Sequence, residues 1–286
     1  MRLALYDDYR PGAISGDLVV DLTPALPGWI PGDPSFAPKL WGSFHSLRPT
    51  IEWLVARGQG VGVDQVTLRA PVPLPGQVLA APLNFQAHRD EMSGPLTAGP
   101  GTARELGFFL KSSRSVADPT TPVGIPNLSG RRFDFEAEVA VVIGRTSRAV
   151  TQTQALDHVL GYSLLLDITL RMTETEREER TLRKSYDGFT PLGPWIVTAD
   201  EIPDPSAITI KAWRNGELRQ DATLADLIVD IPEMVSRASQ VVTLQPGDVI
   251  AMGSPAGVGE VKPGDTITVE APLIGSLCVP IRQRDW

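Results

Sequence analysis

The chain has one cysteine, Cys278, and three histidines in 286 residues. A single thiol forms no internal disulfide, which fits a reducing compartment. In the apolar context Leu277-Cys278-Val279 it reads as a buried, inert side chain. Three histidines are too few for a His-based metal site unless they converge, and His45 and His158 fit no motif and read as structural. No apolar stretch approaches the roughly 18 residues needed to span a bilayer. The N-terminus lacks the basic-then-apolar pattern of a secretory signal, so a cytoplasmic protein is expected. Positive charge is also short, with 26 Lys and Arg against 34 Asp and Glu and a formal charge of −8. An acidic chain without basic runs argues against nucleic acid and anionic membrane as partners. Low-complexity tracts and a repeat period are absent.

Turn-formers are plentiful, 26 Pro and 26 Gly, a composition suited to many short strands. The length permits one large domain, or a main domain with a small appendage. Residues 1–70 read as a small N-terminal α+β domain. Its strands, 1–6 and 18–22, are expected across a Pro11-Gly12 turn, and a short helix over 49–58 has Thr50 as N-cap and Gly58 past its end. The run Pro71-Val72-Pro73-Leu74-Pro75-Gly76 is a stiff linker, because each proline fixes φ and extends its predecessor. It marks the start of a main domain over 71–286. There strand signals dominate, with helices expected at 155–160 and 230–242. The second opens with Asp230-Ile231-Pro232-Glu233, a cap with capping-box spacing. Pro246-Gly247-Asp248 and Pro263-Gly264-Asp265 are reused turn chemistry that feeds strands. The predicted class is mixed α/β, mostly β, with a few helices packed outside.

The most informative stretch is Phe135-Glu136-Ala137-Glu138-Val139-Ala140-Val141-Val142-Ile143-Gly144. Alternate strand residues share a face, so Glu136 and Glu138 point the same way. On a mostly apolar face the two charges repel and lose hydration, and a divalent cation with hard oxygen ligands removes both problems. Asp167, after Gly161-Tyr162-Ser163-Leu164-Leu165-Leu166, offers a third carboxylate. Such a trio suits Mg²⁺, Mn²⁺ or Ca²⁺ better than zinc. The other reading is an exposed edge strand with solvated glutamates. His88 and Glu91 are three apart and share a face on a helical turn, whether as an acid–base pair or as an ordinary surface pair.

Several segments together resemble the fumarylacetoacetate hydrolase (FAH) family. They are Asn84-Phe85-Gln86-Ala87-His88-Arg89-Asp90-Glu91, Phe109-Leu110-Lys111, the Asp134 to Gly144 stretch, Gly161-Tyr162 with Asp167, and Arg183-Lys184-Ser185-Tyr186-Asp187-Gly188-Phe189. Pro191-Leu192-Gly193-Pro194-Trp195 and Pro246-Gly247-Asp248-Val249-Ile250 with Gly253 to Gly259 complete the set, in register from about residue 75 onward. The resemblance implies a FAH-type β-roll core, a homodimer, and Mg²⁺, Mn²⁺ or Ca²⁺ held by Glu136, Glu138 and Asp167. It implies small oxo-acid substrates, on which a Lewis-acidic metal stabilises an enolate. His88 and Glu91 correspond to a water-activating dyad and Lys184 to a cation for the substrate's developing charge. Arg171, Lys111 and Ser254 correspond to substrate contacts. Two positions depart from the pattern. Glu174 stands where hydrolase members often carry an oxyanion-donating glutamine, and a carboxylate cannot donate. Phe85 replaces a usual tyrosine.

The expected function is metal-dependent hydrolysis of a C–C bond in a small 1,3-dioxo, acylpyruvate-like acid. Decarboxylation of an oxaloacetate-type acid, or isomerisation and hydration in aromatic-acid breakdown, uses the same site. A binding protein without turnover is a third reading, which the His88–Glu91 pair argues against. The Gly- and Pro-rich stretch after the dyad suggests a lid over 86–101 that closes on ligand.

Overall fold

Seven residues, Ala137–Ile143, form a strand that is buried along its whole length. β-Branched side chains suit a pleated surface covered on both faces. Its alternation separates two cores. Ala137, Val139, Val141 and Ile143 pack with Ile210, Ile267 and Leu277, whereas Ala140 and Val142 pack with Leu3, Trp41 and Phe44. Glu138 shares the second face, that of Ala140 and Val142.

In this computed structural model, which describes all residues except 27, 93–100 and 285–286, sheet dominates. Among the described residues the largest sheet has twelve strands. Its path runs Val61–Gly62, Leu18–Asp21, Arg10–Ser15, Arg2–Tyr6, Thr190–Thr198, Val159–Leu166, Ala137–Ile143, Val249–Ala251, Val78–Ala80 and Phe109–Lys111. A five-stranded sheet that includes Thr209–Arg214 and Thr266–Ala271 lies against it. A third, of three strands, joins Phe133–Phe135 to Thr169–Leu170 and Gly259–Glu260. The expected division at residue 71 falls where segments from both sides share one sheet, since Arg2–Tyr6 pairs with Thr190–Thr198. The linker itself is anchored by Trp41 Nε1, which donates to the Pro71 carbonyl at 2.8 Å.

Four local expectations are corrected. Pro11-Gly12 is no turn but the middle of strand Arg10–Ser15, paired on both sides. A Cβ on Gly12 would sit 2.5 Å from Val19 Cγ1, so this glycine permits close strand approach. The chain turns earlier, through left-handed Asp7 and Tyr9. The first long helix is Phe44–Ala56 and runs through Pro49. Burial of Phe44 and Ile51 at either end of the proline outweighs the lost N–H bond. The helix expected at 155–160 is instead Gln152–Ala155 plus a short turn, because Val159 is already paired with Ile143 in the large sheet. Cys278 is exposed, since the alternation that buries Leu277 and Val279 turns it outward. The last helix, Ile231–Val241, begins as expected, with the Asp230 carboxylate accepting from the Glu233 N–H at 2.8 Å.

Candidate metal centre and active site

Every second residue from Asp134 to Glu138 is acidic, and the chain changes sheets within that run. Phe133–Phe135 belongs to the three-stranded sheet and Ala137–Ile143 to the large one, with Glu136 as the residue between them. Asp167 follows strand Val159–Leu166, whose Leu165 lies opposite Glu138. The Asp167 N–H donates to the Glu136 carbonyl at 2.7 Å, which extends the ladder to the site. Glu136, Glu138 and Asp167 each present an oxygen within 4.8 Å of the others, and all three are buried. Behind them Phe133 and Phe189 meet edge to face with centroids 5.8 Å apart, a rigid backing.

The donor set consists of carboxylate oxygens alone, the ligands of hard divalent cations. Burial, then the charge of Asp167, pushes the Glu138 carboxyl up to about 8. Glu138 makes no ion pair among the described residues and accepts instead from the Gly253 N–H at 2.7 Å, so a divalent cation would supply the positive charge that Lys184, Arg171 and Lys111 give to the other two. Burial acts in the same sense on Glu136, but the charges of Lys184 and Arg171 outweigh it and hold that carboxyl below the usual range.

Lys184 ends the short helix Arg180–Lys184. Its Nζ donates to Glu136 Oε2, Asp167 Oδ2 and Thr169 Oγ1, each at 2.6 Å. Arg171 Nη2 donates to Glu136 Oε1 at 2.7 Å, and its Nε to Asp134 Oδ2 at 2.8 Å. Asp134 had no role in the sequence reading, although its even spacing from Glu136 was a usable signal. Lys111 corrects an expectation. Its side chain has no accessible surface and donates to Asp167 Oδ1 and, at 3.2 Å, to the Phe189 carbonyl. It orders a carboxylate from behind and does not line the cavity.

His88 and Glu91 lie on helix Gln86–Glu91, with His88 Nδ1 3.0 Å from Glu91 Oε2. An ionised carboxylate only accepts, so Nδ1 is the donor in this bond, the tautomer that leaves the Nε2 lone pair free in a neutral ring. Glu91 also accepts from the Gly257 N–H at 3.1 and 3.2 Å. Asn84 fixes the chain just before this helix. Its Nδ2 donates to the Val229 and Met252 carbonyls, and its Oδ1 accepts from the Val229 N–H. Phe85, in place of the usual tyrosine, is buried, and its backbone forms an antiparallel bridge with Leu227. Ser254 accepts from Gln220 Nε2 at 2.8 Å. Gln220 lies in the polar strand Glu217–Thr223, where nothing in the sequence marks it.

Glu136, Glu138, Arg171, Lys184, His88 and Ser254 line one cavity, walled by Ala81, Leu83, Phe109 and Met172, with Arg180 and Arg183 also on its lining. Glu174 is exposed and does not reach it. His45 and His158 are also outside it. Half of the expected lid, residues 93–100, lies outside the described residues.

The model of the C-terminal region of fumarylacetoacetate hydrolases matches residues 77–282. The chain belongs to the fumarylacetoacetate hydrolase family. Among its relatives in that family is a maleylpyruvate hydrolase of Aquipseudomonas alcaligenes, 38% identical over 291 residues that cover 99% of each chain. A solved maleylpyruvate hydrolase from Sphingobium sp. SYK-6, in complex with manganese(II) and pyruvate, superposes with a TM-score of 0.87 and 40% identity over 99% of both chains. A bifunctional isomerase/decarboxylase of 4-hydroxyphenylacetate degradation from Salmonella dublin is 37% identical over 74% of this chain and 48% of its own. The family site in this chain, a buried acidic trio, suits a divalent metal.

Proposed function

We propose that this protein hydrolyses a C–C bond in a small 1,3-dioxo acid of the acylpyruvate type. In this proposal Glu136, Glu138 and Asp167 hold one Mg²⁺ or Mn²⁺. The observation that carries the proposal is a cavity lined by Glu136, Glu138 and a His88 whose Nδ1 is engaged by Glu91, with the Asp167 carboxylate within 4.8 Å of both glutamates. A divalent cation bound there supplies a Lewis acid that polarises the oxygens of the oxo acid.

His88 Nε2 takes a proton from water, and Glu91 stabilises the imidazolium that results. The water oxygen adds to the acyl carbonyl carbon, and the bond from that carbon to the adjacent CH₂ breaks. Its electron pair leaves with the pyruvate fragment, whose former CH₂ carbon takes the proton that His88 removed from water, so a carboxylic acid and pyruvate are released. Lys184 and Arg171 keep positive charge beside the reacting oxygens, and Gln220 orients the Ser254 hydroxyl. The maleylpyruvate hydrolases among the relatives support this choice. The isomerase/decarboxylase relative favours decarboxylation or isomerisation on the same site, neither of which needs an activated water. The proposal includes a homodimer in the cytoplasm, tested by sedimentation at twice the chain mass. No helix among the described residues is long and apolar enough to cross a membrane.

The test compares acylpyruvates with oxaloacetate in Mg²⁺ and Mn²⁺. Chelation should abolish turnover and either ion should restore it. His88→Ala should lower acylpyruvate hydrolysis roughly 10²- to 10⁴-fold, the scale of lost acid–base assistance, and any oxaloacetate decarboxylation much less. Equal losses in both reactions would remove the hydrolytic assignment.

A further inference from the structure

Gln220 is fully buried, although it comes from the polar strand Glu217–Thr223. Its side-chain amide bridges two parts of the site. Oε1 accepts at 3.1 Å from the N–H of Ala137, the residue between Glu136 and Glu138. Nε2 donates to the Pro255 carbonyl at 2.7 Å and to Ser254 Oγ at 2.8 Å. Two backbone groups settle the orientation of the amide, because the Ala137 N–H only donates and the Pro255 carbonyl only accepts. Ser254 is therefore an acceptor towards Gln220, and its own proton points elsewhere. Among the described residues the hydroxyl donates to no protein group, and Ser254 lines the cavity.

Chain connectivity places that hydroxyl. The N–H of the preceding Gly253 donates to Glu138 Oε2 at 2.7 Å, and the Gly257 N–H, three residues on, holds Glu91. Ser254 thus stands between the acidic trio and the dyad. When the pyruvate end lies on the trio and water comes from the dyad, the acyl oxygen is the substrate oxygen that reaches this position. Lys184 and Arg171 already donate to Glu136. The Ser254 proton is unclaimed, and a fixed neutral donor meets a developing oxyanion without first breaking an ion pair.

We propose that Gln220 is a positioning residue: by occupying a lone pair of Ser254 it makes that hydroxyl a donor to the oxyanion formed when water adds to the acyl carbonyl. Ser254 touches the reacting oxygen and Gln220 acts through it. The proposal rests on the acylpyruvate reading for the identity of that oxygen.

The test is calorimetry of the manganese-loaded protein with two ligands that do not turn over. One is pyruvate. The other is an acetylpyruvate analogue with a methylphosphinate in place of the acetyl group, a tetrahedral anion where the oxyanion would form. Ser254→Ala should weaken the phosphinate roughly 10- to 100-fold, the range of a hydrogen bond to a charged group, and leave pyruvate unchanged. Ser254→Thr should keep most of the affinity. Gln220→Glu keeps the shape but draws the Ser254 proton onto itself, so it should match Ser254→Ala. Gln220→Met, with no donor, should lose part of the factor, and in the Ser254→Ala background it should add nothing. Should either Gln220 variant fail to fold, the other carries the comparison. Acylpyruvate kcat should follow the phosphinate affinities. Losses that multiply in the double variants, phosphinate binding unmoved by Ser254→Ala, or loss of pyruvate along with the phosphinate would overturn the assignment. The expected affinities in a protein that hydrolyses no acylpyruvate would sink the reaction reading and leave Gln220 and Ser254 in place.

Discussion

Replacing Lys111 by Met separates two roles that the sequence alone does not distinguish. A substrate contact would affect KM and leave the fold alone. A buried partner of Asp167 would affect stability. The structure favours the second, since neither side chain has accessible surface and the ammonium bonds Asp167 Oδ1 and the Phe189 carbonyl. Burial pulls the Lys111 pKa down and Asp167 pulls it up, so the ion exists there because the carboxylate does. Methionine keeps nearly the same volume and removes the charge. Breaking a buried pair by removing one partner costs roughly 3–5 kcal/mol. Asp167 retains Lys184 at 2.6 Å on its other oxygen, which places the loss near the lower end, about 3 kcal/mol. For a chain of this size that lowers Tm by roughly 6 °C or more. The assay is urea and thermal unfolding of chelator-treated protein, so that no cation substitutes for the ammonium. The double variant Lys111→Met/Asp167→Asn should recover part of the loss, because no charge is then left uncompensated. An unchanged Tm together with a raised KM would refute the assignment and return Lys111 to the substrate.

Two further outcomes are expected. Gly257 has φ +97°, and a Cβ there would lie 1.8 Å from the Arg219 carbonyl oxygen. Gly257→Ala should therefore displace the N–H that holds Glu91 and lower kcat about tenfold or more, with a clear loss of stability because the clash is with backbone, read by steady-state kinetics beside thermal unfolding. For Glu91, burial opposes ionisation, but His88 and the Gly257 N–H outweigh it and lower the pKa below its usual value of 4.5. A depressed folded pKa means stability that is present above that usual value and lost as pH falls through the folded one. Urea unfolding should show wild type more stable than Glu91→Gln at pH 6, with the gap closing below about pH 4; a gap that widens in acid contradicts the assignment.

The acidic trio was legible because a strand converts even spacing into a shared face; the competing reading, solvated glutamates on an exposed edge, is removed by the burial of all three carboxylates. The His88–Glu91 pair was legible for the analogous helical reason. What the sequence hid were contacts made across long separations. Gln220 reaches Ser254 from a strand with no apolar face of interest. The Pro11-Gly12 and Pro49 misreadings share one cause: local turn and breaker preferences of a few kcal/mol yield to sheet pairing and to burial of neighbours such as Phe44 and Ile51. Cys278 was misread differently, since the alternation of Leu277 and Val279 already indicated an outward side chain.

Glu136 sits where the backbone leaves one sheet and Glu138 where it has joined another. An ion gripped by both is then a rivet between two separately hydrogen-bonded layers. Its removal would loosen the seam between them and leave each layer's own ladder intact. Slow amide exchange is expected to divide along that seam in the metal-free protein, with Phe133–Phe135 opening independently of Ala137–Ile143. The loaded protein is expected to open both as one unit.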